Sequence, residues 1–85
     1  MSQLNTVRFN KLRSLGYTGD TNKMVLAYMK ASGATSNQIN DATFQRSDVT
    51  SNKKQFNDIW YDFMGLAGFT QADRNARELA FWTAL

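Results

Sequence analysis

An all-α fold of about five short helices is predicted by three features of this sequence. There is no proline in the chain. No stretch of convincing length alternates apolar and polar residues with the period of two that a strand requires. Most tellingly, a degenerate repeat of 17 or 18 residues runs through it, marked by Asn5, Asn22, Asn40, Asn57 and Asn75. Repeats of this kind signify one helix–turn unit used several times over.

Each unit reads in the same way. Asparagine is a good N-cap, because its side chain accepts hydrogen bonds from the free N–H groups of a helix start. Aspartate follows at Asp41 and Asp58, where negative charge favours the positive end of the helix dipole. Four residues after the asparagines stand Phe9, Leu26, Phe44, Tyr61 and Leu79, and seven after stand Leu12, Met29, Ser47, Met64 and Trp82. That spacing forms one apolar stripe along a helix. Gly16, Gly33 and Gly68 come eleven residues after their asparagines and suit the left-handed residue just past a helix C-terminus. Thr18, Thr35 and Thr70 follow two residues later, within the turns.

The resulting expectation is helices over 6–15, 23–32, 41–47, 58–67 and 76–83, in one small domain spanning 1–85. The first is closed by Gly16, and the turn Tyr17-Thr18-Gly19-Asp20 leads to the second, which Gly33 closes. The third is the weakest, since Ser47, Asp48, Ser51 and Asn52 break its stripe, and 48–56 reads as a mobile polar loop. In the fourth, Gly65 either costs about 1 kcal/mol as an interior residue or marks an earlier end. The fifth carries the aromatic ending Phe81-Trp82. Helices of about ten residues are unstable alone, so each must bury its stripe on a neighbour.

Composition excludes much chemistry. With no cysteine and no histidine, the chain lacks a thiolate nucleophile, a disulfide and the commonest general base and metal ligand. No catalytic, cofactor-binding or metal-binding residues are expected, and no cofactor. Gly16-Tyr17-Thr18-Gly19 reads as a turn, because it lacks the Gly-Lys-Ser/Thr ending of a phosphate loop. Asp58 and Asp62, one helical turn apart, read as an exposed pair, and Met24, Met29 and Met64 as adaptable core filler. No apolar run spans a bilayer, and the first residues lack a signal-peptide pattern, so a cytosolic site of synthesis and no membrane partner are expected.

Charge is uneven within a net +3. Residues 1–39 carry Arg8, Lys11, Arg13, Lys23 and Lys30 against Asp20, whereas 57–74 carry Asp58, Asp62 and Asp73 against Arg74. Such asymmetry suits head-to-tail docking or attachment to an anionic surface. The basic half also raises a DNA-binding reading, with the second helix as the reader of a helix-turn-helix. That helix, Lys23 to Lys30, has no Arg, Asn or Gln to meet base edges, which argues against it. The cluster Phe56, Trp60, Tyr61, Phe63, Phe69, Phe81 and Trp82 is the richest feature, chiefly as core. Adjacent helical residues point about 100° apart, so one member of Trp60/Tyr61 and of Phe81/Trp82 is expected to face a partner. Trp60, Tyr61, Phe81, Trp82 and Leu85 are therefore the candidate partner-binding residues.

Four segments carry a resemblance. Leu15-Gly16-Tyr17-Thr18-Gly19-Asp20-Thr21-Asn22 is similar to the "LGYTG…ND" repeats of tailed-bacteriophage proteins. Ser32 to Asp41 is similar to their "xGATGxxINDxW" unit, Asn57 to Met64 to "NDxWYxYL", and Glu78-Leu79-Ala80-Phe81-Trp82 to the "LAFW" close. The third unit has no glycine, and Gln71-Ala72 replaces the second turn glycine of the fourth. The resemblance implies a small, non-enzymatic structural protein of a phage particle, assembled in the host bacterial cytoplasm and located in the virion. It implies a capsid decoration (cement) protein first, or another accessory subunit, docking on a major capsid, tail or head–tail protein, with self-association open. The alternative is a small basic helical DNA-binding or regulatory phage protein.

Overall fold

The computed structural model describes the backbone of residues 3–47 and 53–85 and the side chains of 3–44 and 56–85. Five α-helices and no strand occur among the described residues: α1 (Gln3–Ser14), α2 (Thr21–Ala31), α3 (Ser36–Ser47), α4 (Lys53–Phe63) and α5 (Gln71–Ala84). The chain is all-α, as its periodicity predicts.

Every helix starts earlier than the asparagines suggest. Asn5 is the third residue of its helix, Asn22 the second, and Asn40, Asn57 and Asn75 the fifth. None of the five is the N-cap. Where the caps are defined, the turn supplies them. The Asp20 carboxylate accepts from the Lys23 N–H at 2.8 Å. Thr35 Oγ1 accepts from the Gln38 N–H at 3.1 Å while Gln38 Oε1 accepts from the Thr35 N–H at 3.0 Å, a reciprocal capping box. Thr70 Oγ1 accepts from the Asp73 N–H at 3.2 Å. Asp20 and Thr70, held in extended backbone, reach the first turn, whereas Asn40, Asn57 and Asn75 sit at the fifth helical position, beyond the free N–H groups of the helix start. The polar segment expected over 48–56 is corrected at its end, because 53–56 belong to α4. Residues 48–52 lie outside the described residues.

Helix ends follow glycine more faithfully. Gly16 and Gly33 adopt φ of 99° and 90°, and in the fourth unit Gly65, at 77°, takes this role in place of Gly68. Each sits in a Schellman-type closure, with Tyr17 N–H donating to Leu12 O at 3.1 Å, Ala34 to Met29 at 3.0 Å and Leu66 to Tyr61 at 2.7 Å. The glycine is required because an L side chain at positive φ is strained. Tyr61 thus corresponds to Leu12 and Met29, which shifts the fourth unit by three residues from the spacing in the sequence.

Helices adjacent in sequence pack on each other from α1 to α4, α2 also meets α4, and α1 packs on α5 to bring the two ends together. The core comprises Leu12, Met24, Val25, Met29, Ala42, Phe56, Trp60, Tyr61, Leu66 and Trp82. At its centre the Trp60 and Trp82 rings stack at 5.9 Å and 12°. Tyr28 meets the pair from the side, with ring centroids 6.3 Å from Trp60 and 5.4 Å from Trp82, and it also touches Phe81 and Tyr17. Such aromatic pairs add about 0.5–1.5 kcal/mol each beyond simple burial.

Candidate interaction surface

The adjacent aromatic pairs do not divide as expected. Trp60, Tyr61 and Trp82 are all buried, with Trp82 at 0% exposure, so none of the three stands on the surface as a docking anchor. Tyr61 is covered because Arg74 lies across its ring at 4.8 Å. The same guanidinium donates to Leu66 O at 3.0 Å and Ala67 O at 2.6 Å, closing the α4–α5 connection. Phe81 is half-buried against Tyr28, and Leu85 keeps 50% of its surface exposed. Of the five candidates, Leu85 alone is exposed, and Phe81 packs on the core with part of its surface outside.

The position three residues after each asparagine turns out to face the core, and it was concealed by charge. It holds Arg8, Val25, Trp60 and Glu78, all buried, and Thr43, which is exposed. Arg8 Nε donates to Glu78 Oε2 at 2.6 Å and Arg8 Nη2 donates to Glu78 Oε1 at 2.7 Å. Trp82 Nε1 completes the carboxylate's shell by donating to Oε2 at 2.8 Å. Burial alone pushes the Arg8 guanidinium down, but the Glu78 hydrogen bonds and charge outweigh it, and the net shift is upward. Glu78 is fully enclosed and saturated, so this pair joins α1 to α5 and has no route to a substrate.

The rest of the basic set is correspondingly reduced. Arg8 is in the core, Lys11 Nζ donates to Leu85 O at 2.8 Å, and the Arg13 guanidinium lies 5.8 Å from the Phe9 ring. Lys23 and Lys30 are exposed on α2, whose opposite face buries Met24, Val25 and Met29. Asp58 and Asp62 are exposed, and Asp62 accepts from Gln38 Nε2 at 3.1 Å. Among the described residues no group of acidic side chains is arranged to hold a metal ion, and no helix is long and apolar enough to cross a membrane.

The surface that stands out is α5. Its inward side carries Arg74, Glu78 and Trp82, and its outward side carries Ala72, Asp73, Ala76, Ala80, Thr83 and Ala84, all exposed. The alanines recur every four residues and form a low ridge along the helix. Between Ala76 and Ala84 the sole exposed charge is Arg77, which lies over the Phe69 ring at 4.0 Å. A solvated helix face ordinarily carries several charges. Beside this ridge runs a groove of about 410 Å³ between α1 and α5, lined by Gln3, Leu4, Ala72, Asn75, Ala76 and Leu79. A smaller one of about 270 Å³ lies among Lys30, Ala34, Ser36, Ile39 and Asn40. The regular alanine spacing was present in the sequence. Such spacing does not by itself mark a surface, because alanine is also the strongest helix former.

Compared with protein-family models, curated proteins and solved structures, the chain matches none of them.

Proposed function

We propose that this chain is a non-enzymatic structural subunit of a tailed-bacteriophage particle, docking on a larger virion protein through the outward face of α5. A capsid decoration (cement) role is favoured over a tail or head–tail accessory role. The reading is supported first by the motif resemblance, whose four segments are spread from Leu15 to Trp82. The observation that carries the docking surface is the near-uncharged ridge Ala72, Ala76, Ala80 and Ala84, continued by half-buried Phe81 and exposed Leu85. Small residues on an i, i+4 row let a partner helix approach closely, so that dispersion contacts accumulate over a wide area. A domain of this size is only marginally stable alone, and a partner surface adds to it by mass action.

The DNA-binding alternative retains Arg13, Lys23 and Lys30 as its exposed cations, with Arg8 committed to Glu78 and Lys11 to Leu85. Those three cations, taken alone, give a shallow dependence of affinity on salt.

The test is substitution on the ridge. Ala80→Glu places a charge at the centre of the proposed contact on an exposed helical site, where the fold tolerates it. Binding of the purified variant to particles lacking the wild-type chain should fall at least about tenfold, as an unpaired interfacial charge demands. Undiminished binding of a folded Ala80→Glu variant would refute docking through α5.

A further inference from the structure

The core divides unevenly between the helices. Of its ten described residues, Met24, Val25 and Met29 of α2, Ala42 of α3, Phe56, Trp60 and Tyr61 of α4, and Leu66 just beyond α4 make eight. Helices α1 and α5 add Leu12 and Trp82. The three middle helices also pack on one another in every pairing. The terminal helices are tied chiefly to each other, and they run in the same direction. Leu4 lines a groove with Ala72 to Leu79, Arg8 donates twice to the Glu78 carboxylate, and Lys11 donates to Leu85 O. Between α5 and α4 the central contact is the Trp60–Trp82 stack, which no indole hydrogen bond crosses. Trp82 Nε1 donates to Glu78 within α5, and Trp60 Nε1 has no acceptor. Polar contacts to α4 gather on Tyr61, whose hydroxyl accepts from Gln71 Nε2 at 3.3 Å and also neighbours Arg8, and whose ring lies under Arg74. Gln71 and Arg74 belong to the first turn of α5, so they anchor its start and leave the rest of the helix to α1 and the stack.

We propose that α1 and α5 form one clasp, opening together from a core of α2, α3 and α4 that stays folded. Departure of either helix alone breaks the charge-assisted bonds between Arg8 and Glu78, which are the strong kind, and gives up the apolar contact the two helices share. Departure together keeps both, so the joint opening is the cheaper one. The hinges are the connections at 15–20 and 64–70, each with two glycines to absorb the change in backbone angles. Opening separates Trp82 from Trp60 and uncovers the Trp60 ring, 1% exposed in the closed form. Small domains commonly open in parts. What is particular here is that the first and last helices, the most distant in sequence, share one opening. Nothing in this rests on the virion reading, and the test uses the purified chain alone.

Native-state hydrogen exchange, read amide by amide, tests this. In the wild-type chain the most protected amides of α1 and of α5 should agree within about twofold, and those of α2 to α4 should be protected at least about tenfold more. A pair of variants at Asn10, exposed on α1, then tests the coupling. Asn10→Gly should lower the protection of α1 by roughly fourfold relative to Asn10→Ala, because glycine is the poorer helix former. If the helices open together, the amides of α5 fall by the same factor, although position 10 lies on a different helix. The wild-type pattern decides by itself should the glycine variant fail to fold. One common protection across all five helices, or α5 protection that is untouched by the change at position 10, would overturn the proposal.

Discussion

At the scale of single residues, the Arg8–Glu78–Trp82 contact decides whether α5 is held in place. A buried ion pair is dearly solvated before folding, and its worth lies in completeness: Glu78 accepts three hydrogen bonds inside a fully enclosed site. Breaking such a pair by removing one charge costs about 3–5 kcal/mol, against a total stability on the order of 5 kcal/mol for a domain this small. Glu78→Gln is therefore expected to remove most of the chain's stability, leaving about 0–2 kcal/mol, as read by urea titration. Arg8→Met combined with Glu78→Leu should recover most of the loss, since apolar residues of similar volume replace buried pairs well. Because the Arg8 pKa is raised in the folded state, its contribution is complete below the ordinary arginine range and is lost only as pH climbs through the higher folded value. Any loss of stability in mildly alkaline solution must arise from other groups. Sequence reasoning reads arginine and glutamate as surface residues, and only the pairing of Arg8 with a residue 70 positions away makes them core. The same distance effect buries both tryptophans: adjacency in a helix says that two rings diverge, not that one is left outside.

At the scale of elements, the punctuation of the helices explains both what the sequence revealed and what it misplaced. The five helices were legible because apolar residues recur with helical period and glycines interrupt them. The asparagine register marks a recurrent exposed helix position: Asn5, Asn40, Asn57 and Asn75 are exposed and Asn22 is half-buried. Caps were hidden in the turns, because Asp, Thr and Asn have nearly equal capping strength and spacing alone cannot choose among them. Thr70→Ala should cost about 1 kcal/mol in thermal or urea denaturation, whereas Asn57→Ala should stay within about 0.5 kcal/mol. Glycines separate the two registers of the fourth unit just as cleanly. Gly65→Ala forces a side chain to φ of 77° and should cost about 1–2 kcal/mol. Gly68→Ala has open space around it and no positive φ, and should be neutral or stabilising by up to about 1 kcal/mol. Equal losses at both glycines would contradict the Schellman closure assigned to Gly65.

At the scale of the whole molecule, the parallel contact of α1 with α5 brings the first and last repeat units together around the stacked tryptophans. That arrangement buries both tryptophans and Tyr61, leaves Phe44 and Phe69 exposed, and puts small residues on the outward side of α5. The outward surface is thus the part of the candidate site least legible in the sequence: of the residues expected to meet a partner, Leu85 alone is exposed and Phe81 keeps part of its surface outside, and the alanine ridge of α5 joins them. The charge asymmetry was visible from the start, but the fold withdraws Arg8 from it and occupies Lys11. Of that basic set, Arg13, Lys23 and Lys30 remain exposed.

The most direct test of the central claim is quantitative mass spectrometry of gradient-purified, nuclease-treated phage particles, comparing this chain with the major capsid protein. A capsid decoration role predicts copies on the order of hundreds per particle, in fixed ratio to the symmetric shell, and a tail or head–tail role predicts far fewer. Complete absence of the chain from intact particles would contradict the structural role.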